Sequence, residues 1–290
     1  MKRKLIVNAD DFGYTSGINA AIDRCANGGL LRSATIMASG SAFEDAVGIA
    51  KRNANLRIGV HLVLTELKAV ASVSEIHGLV DQQGFLPPTP GALWNGILRG
   101  KINSQAIFLE LNEQVSKVLD HGIPVSHLDS HKHVHILPEV AEVVCEIACH
   151  YSIPWIRSPF DRTPGWLLFA GVGQKDRGVF CKQHLSARLM AGFRPFFLRR
   201  IRRFGIGTAD YFFGVSLTGI WTEMSAASLI KRLPPGLTEW MVHPGDCDSE
   251  LRKRQTRLVE QRENERDMLV SPVLKKYIAE NDIELKYYGE

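Results

Sequence analysis

The 290-residue chain has no run of about 18 apolar residues, so no bilayer-spanning helix is expected. No secretory leader is expected either. "MKRKLIVNADDFG" opens basic, but its apolar run "LIV" is too short for a leader core, and two aspartates follow. Cysteine is scarce. Cys25, Cys145, Cys149, Cys181 and Cys247 are odd in number and contain no CxxC pair, which argues against a disulfide framework and fits a reducing cytoplasm. Acidic residues are missing from one stretch. Between Gly178 and Thr208 lie Lys182, Arg188, Arg194, Arg199, Arg200, Arg202 and Arg203, with no Asp or Glu. The whole chain carries only +4, so the remainder is net negative and the basic excess is local. That distribution, with no nucleic-acid motif, argues against a nucleic-acid binder. Linkers, internal repeats and low-complexity tracts are also absent, so a single domain is expected over 1–290.

What is present is the profile of a soluble protein with a sizeable core: 45% hydrophobic and 23% charged residues. Short apolar runs alternate with helical patterns. "KLIVNAD", "RSATIMAS", "LRIGVHLVLT", "IPVSHLD", "IPWIRSP", "TEWMVHPG" and "IELKYY" read as strands. Between them, "SGINAAIDRCANGG" reads as a helix with Ser16 as its cap and Gly28–Gly29 as its stop. "EDAVGIAKRNA", "SQAIFLELNEQVSKVLDHG", "LPEVAEVVCEIACHYS" and "SELRKRQTRLVEQRENERDML" read as further helices, and 67–102 as loop-rich. Alternation of this kind predicts βαβ units and a parallel sheet. About seven strands in this length favour an α/β fold of the distorted or incomplete (β/α) barrel type.

Polar residues recur where these strands end: Asp10 and Asp11, His61, His127 and Asp129, Arg157, and His243. In parallel α/β folds those ends share one face, and active sites sit there. "HLDSHKHVH" places His127, His131, His133 and His135 within nine residues. Neutral imidazole is a common metal ligand, although a single HxH or HxxxH says little. Asp10 and Asp11 strengthen the reading, because two carboxylates at the end of an apolar strand need a cation or hydrogen bonds. Capping explains one aspartate more easily than two. Neighbouring residues on a strand point oppositely, which would let one aspartate join two histidines on an ion and leave the other as a base. His243, on another strand, is the candidate acid for the leaving group.

"IVNADDFG", "IGVHLVLT", "HLDSHKHVH" and "MVHPG", in this order and spacing, resemble the YdjC-like carbohydrate deacetylases, a family that includes chitooligosaccharide deacetylases and hopanoid-biosynthesis-associated deacetylases. The resemblance covers most of the chain, 1–165 and 209–290 best. It implies hydrolysis of an N-acetyl group from an amino sugar with one divalent metal ion. It puts the ligands at Asp11, His61 and His131, the base at Asp10, the acid at His243 and a supporting role at Arg157, which would steer Asp10 or the substrate. One oxygen and two imidazoles suit zinc, cobalt or nickel better than magnesium, though the resemblance allows magnesium. Lys132 departs from the family's "HLDSHHHVH"; between two histidines of an extended chain it is expected to point away from them, toward the rim. His133 and His135 read equally as groups that orient ligands and as packing residues. His77, His121, His150 and His184 read as ordinary surface or packing histidines.

The segment 185–203, "LSARLMAGFRPFFLRRIRR", lies in a basic-apolar insertion near 165–208. It reads either as a packed helix broken at Pro195 or as an interfacial element that meets anionic lipid and brings a cytoplasmic enzyme to a lipid-linked amino sugar. Three other functions compete. A phosphoesterase would want more basic residues than Arg157 and Lys132 near the ligands. A sugar- or lipid-binding protein would not need both a base and an acid. A nucleic-acid binder lacks the charge distribution.

Overall fold

The computed structural model describes residues 2–254 and 256–290. Among them are seven strands and eleven α-helices in one α/β domain. The strands are β1 (Arg3–Phe12), β2 (Ser33–Ile36), β3 (Arg57–Leu62), β4 (Val125–Ser130), β5 (Tyr211–Phe213), β6 (Gly236–Val242) and β7 (Ile283–Leu285). The first five helices are α1 (Ser16–Gly28), α2 (Phe43–Arg52), α3 (Pro90–Leu98), α4 (Ser104–Asp120) and α5 (Pro138–His150). There follow α6 (Leu167–Ala170), α7 (Arg177–Met190), α8 (Arg194–Arg203), α9 (Glu223–Ile230), α10 (Gln261–Val270) and α11 (Pro272–Glu280).

The sheet is wholly parallel, in the order β4-β3-β2-β1-β6-β5, and curls into a half-barrel. β1 lies at its centre. Its second half pairs with β2 and its first three residues pair with β7. A strand covered on both faces should be apolar throughout, and Leu5, Ile6, Val7 and Ala9 are all buried. The gap between the edge strands β4 and β5 is partly spanned by 154–157. Ile156 bridges Leu128 on one side, Trp155 bridges Gly207 on the other, and the Arg162 amide donates to Phe212 O.

Four local expectations change. "IPWIRSP" forms only isolated bridges, because the prolines at 154 and 159 remove the amides a ladder needs. Among the described residues, the helix expected over 249–269 is reduced to α10. Asp248 instead ties the chain down, accepting from the Gly17 and Leu251 amides, and a short 3-10 turn follows. Thr15, not Ser16, caps α1 by accepting from the Ile18 amide. The stretch 67–102 also contains α3, which has Thr89 as its cap and Pro90 in its first turn.

Candidate active site

Asp10 and Asp11 end β1 within a bulge. β1 advances three residues, from Ala9 to Phe12, while β2 advances two, from Ala34 to Ile36. Asp11 absorbs the extra residue at φ +66°. The alternation expected of a flat strand is thereby broken, and both carboxylates line one cavity. Both are buried, at 2% and 3% exposure.

Asp11, His61 and His131 converge as the motif implies. Asp11 Oδ1 lies 3.5 Å from His61 Nε2 and 3.4 Å from His131 Nδ1. These separations exceed a charge-assisted hydrogen bond of about 2.7–2.9 Å. They match the edge, about 3.4 Å, of a ligand tetrahedron built on bonds near 2.1 Å. The nitrogens turned away from this point are occupied. His61 Nδ1 lies 2.8 Å from Asp129 Oδ1, and Thr35 Oγ1 donates to the other Asp129 oxygen at 3.0 Å. His131 Nε2 lies 3.2 Å from Glu66 Oε2. Each ring can therefore donate its N–H to a carboxylate and turn a lone pair toward the common point, the arrangement that orients histidine ligands. Burial disfavours the charged His131 ring, but Asp11 and Glu66 outweigh it and raise its pKa to about 9. A cation at this point would displace that proton.

A second set, Asp10, His61 and Asp129, is equally close-packed. It already holds a cation. Arg157 Nη1 and Nη2 donate to the two oxygens of Asp10 at 2.7 Å each, Nη1 is also 2.6 Å from Asp129 Oδ2, and Nε donates to Glu239 Oε1 at 2.7 Å. Arg157 is fully buried. Burial would raise the Asp10 pKa, but Arg157, His61 and His243 hold it well below the usual carboxylate range. Glu239 shares its other oxygen with the Tyr288 hydroxyl, and burial lifts it to about 7. Asp11 has an arginine of its own: Arg262 Nη2 donates to Asp11 Oδ2 at 2.5 Å. The cation demanded by two buried aspartates is thus supplied twice by guanidiniums, so the case for an ion rests on the Asp11–His61–His131 set rather than on the carboxylate pair.

His243 follows β6, with Nε2 3.9 Å from Asp10 Oδ2. Its backbone amide donates to Glu265 Oε2 at 2.7 Å. Burial lowers its pKa to about 4 despite Asp10 and Asp11, so the ring is neutral at rest.

The other residues of "HLDSHKHVH" separate by position. The chain turns after Ser130, with Lys132 and His133 at φ +55° and +56°. This turn overrides the extended geometry expected for Lys132. Its ammonium pairs with Glu66, the carboxylate that also meets His131, at the rim of the cavity. His135 is fully buried. Its Nδ1 lies 2.5 Å from Ser130 Oγ and its Nε2 lies 3.1 Å from Arg157 O. Burial lowers its pKa to about 3. His135 is therefore a packing residue that fixes the Arg157 backbone. His133 faces the cavity, edge-on to Phe212. His127 is buried, stacks on Tyr288 at 3.7 Å, and meets Asn8 Oδ1 at 3.1 Å. Asn8 Nδ2 in turn donates to Asp10 Oδ1.

The cavity above these groups measures about 520 Å³. One wall is α7, through Val179, Lys182, Gln183 and Ser186, so the basic-apolar segment walls the site. The segment is not one continuous interfacial helix. Phe197 and Ile201 of α8 are buried, Phe193 packs edge-on to Trp94, and Arg200 pairs with Glu142. Leu185 and Leu189 of α7 remain exposed, at 62% and 70%.

Sequence reasoning missed Arg262, Glu265, Glu66 and Glu239. Each acts on a residue far away in sequence, and Arg262 and Glu265 sit on a charged helix of a kind that usually holds such residues in solvent.

Fold and site together define a parallel α/β half-barrel protein with an aspartate–histidine centre at the C-terminal ends of its strands. The chain belongs to the YdjC-like family, whose model, described as YdjC-like protein, matches residues 4–280. It is 32% identical to a carbohydrate deacetylase of Geobacillus stearothermophilus, covering 100% of this chain and 98% of that one. It is 30% identical to a carbohydrate deacetylase of Brevibacillus brevis, covering 99% of each. A solved structure from Enterococcus faecalis, described as a candidate cellobiose-phosphate cleavage protein, superimposes with a TM-score of 0.77 at 23% identity, covering 99% and 98% of the two chains. That likeness supports the same fold. Among the described residues, no helix is long and apolar enough to cross a membrane.

Proposed function

We propose that the protein is a metal-dependent carbohydrate deacetylase that hydrolyses the N-acetyl group of an amino sugar to a free amine and acetate. The relatives' activity supports the reaction class. The observation that carries the reading is the division of labour at one cavity: Asp11, His61 and His131 turn three donor atoms to a common point, while Asp10, held by Arg157, and His243 stand beside it.

A divalent ion held by those three residues would supply Lewis acidity, polarising the acetyl carbonyl and making water easier to deprotonate. Zinc fits the donor set best. Asp10 is the base. Arg157 fixes both of its oxygens and keeps it ionised, which orients an acceptor for the proton of water while lowering its basicity. His243 is the acid. It is neutral at rest, so the proton it gives to the departing amine is one received during the reaction, and Asp10, 3.9 Å away, is the nearest source. Glu66 and Asp129 hold the two imidazoles by their outer nitrogens. Lys132 and the α7 residues border the space left for the sugar.

The test uses the purified protein and N-acetylated amino sugars, from N-acetylglucosamine oligomers to a glycosylated lipid, scored for free amine with and without chelator. His131→Ala should lose bound metal and activity together. Asp10→Asn should keep the metal and lose about 10²-fold or more in kcat. A stoichiometric ion in His131→Ala, or near-normal turnover in Asp10→Asn, would refute these roles. A catalytically silent sugar-binding protein would bind oligomers and release no amine.

The lipid-linked form of the substrate rests on Leu185 and Leu189, exposed on the helix that walls the site, beside Lys182 and Arg188. Such a protein would pellet with anionic vesicles at low salt and be released as salt rises. Failure to pellet leaves a soluble oligosaccharide as the substrate.

A further inference from the structure

We propose that Arg262 is a further residue of the catalytic centre: one guanidinium nitrogen restricts Asp11 to a single free oxygen, and the other is a donor held for an oxygen of the substrate. The inference rests on the metal-dependent reading above. Arg262 leaves the first turn of α10 and reaches across to the end of β1, with only 2% of its surface exposed. Its Nε donates to Leu258 O at 3.1 Å, and its Nη2 donates to Asp11 Oδ2 at 2.5 Å. Nη1 is buried and has no partner, although Arg262 forms part of the cavity wall. Leaving a buried guanidinium donor unpaired is costly, and a wall residue in that condition is poised for a ligand oxygen. In this site that oxygen is the acetyl carbonyl, which gains negative charge as the amide is attacked.

A glycine already noted in the sequence provides the seat. A Cβ on Gly245, the last residue of "MVHPG", would lie 2.9 Å from Arg262 Cδ and 3.1 Å from its Cβ. The Gly245 amide also donates to Arg262 O at 3.2 Å. The glycine thus makes room for the arginine stem. The same helix sends Glu265 to the His243 amide, so α10 braces both Asp11 and His243.

Arg262 should affect metal binding in an unusual direction. The carboxylates behind His61 and His131 strengthen their ligands, because they accept a proton's charge from the ring. Arg262 does the reverse: it draws charge from Asp11 and adds a positive group beside the site. Removing it should tighten metal binding while slowing turnover. A purely structural role would loosen both.

The experiment measures zinc affinity of the full-length protein by calorimetry with a competing chelator, and amine release from an acetylated amino sugar, for Arg262→Ala, Arg262→Lys and Gly245→Ala. Arg262→Ala should bind zinc about tenfold more tightly and lose about 10²-fold in kcat, the scale of one lost oriented donor. Guanidinium ion in the assay should restore part of that loss. Arg262→Lys should keep the charge, lose the fork and remain impaired. Gly245→Ala should reproduce the kinetic loss, and it serves as the second reading if Arg262→Ala fails to fold. Weaker zinc binding by Arg262→Ala, or full turnover by either Arg262→Lys or Gly245→Ala, would overturn the inference. A wild type that binds zinc but releases no amine from any acetylated sugar would refute the proposed reaction instead, and the zinc titrations would still decide the role of Arg262.

Discussion

Replacing Arg157 by Met should cost more stability than any other single change at the site, and the cost should grow with pH. Met keeps much of the side-chain volume and removes the charge. Arg157 is fully buried and is within hydrogen-bonding distance of Asp10, Asp129 and Glu239. Removing one partner of a buried ion pair typically costs about 3–5 kcal/mol, because the other charge is stranded. Here three carboxylates lose their shared cation, so that range applies. A shift of about 2–4 °C per kcal/mol at this chain length gives a melting temperature lower by roughly 6–20 °C. The pH dependence follows from the shifts. Asp10 is held below its unfolded value, so its stabilisation is present above the ordinary carboxylate pKa and lost as pH falls through the folded one. Glu239 is raised to about 7, so it favours folding when protonated, and that contribution is lost as pH rises through 7. Without Arg157, Asp10 and Glu239 must both sit higher. They can then be relieved by protonation near pH 5 and not at pH 8. Thermal melts of wild type and Arg157→Met at pH 5, 6.5 and 8 check this. A drop under 2 °C at pH 8, or a larger deficit at pH 5 than at pH 8, would refute the reasoning.

His135→Leu should lower stability by about 2–4 kcal/mol, since it leaves the Arg157 carbonyl without its donor and the Ser130 O–H without its ring acceptor, yet it should bind as much added zinc as the wild type by elemental analysis. Glu66→Gln should weaken zinc binding about tenfold in a chelator competition, because His131 then has only a neutral amide behind its outer nitrogen. Gly59→Ala should cost about 1–3 kcal/mol in urea unfolding. Its Cβ would meet His127 Cε1 at 2.5 Å and His127 O at 2.6 Å, pushing β3 from β4 two residues before His61.

The parallel half-barrel was legible because both of its signals are local: apolar runs of strand length, and helical periods between them. Where a local signal was weak, the reading failed. Three-residue β5 has too few residues to show any period. The charged stretch around 248–260 looked helical because its residues are good helix formers, but Asp248 spends its carboxylate on the Gly17 and Leu251 amides. Tertiary hydrogen bonds outweighed propensity there. At the site, polar residues at strand ends could be collected in advance because parallel topology brings those ends to one face. Asp10, Asp11, His61, His131, Arg157 and His243 do meet there.

The groups that tune them could not be collected in the same way. Arg262 and Glu265 sit in "QRENERDML", where nothing in composition distinguishes a buried arginine from its solvated neighbours. Glu66 lies in a loop, and Glu239 lies within β6 between Thr238 and Trp240. One sequence signal did bear on Arg262, and it lay elsewhere. The glycine of "MVHPG" has an ordinary backbone and no turn requirement, so the need for glycine comes from whatever packs against it. Those neighbours are the Arg262 stem and Ile18 Cγ1. A glycine at this place, without a positive φ to explain it, marks close packing by side chains from other elements, and here one of them is the arginine that grips Asp11.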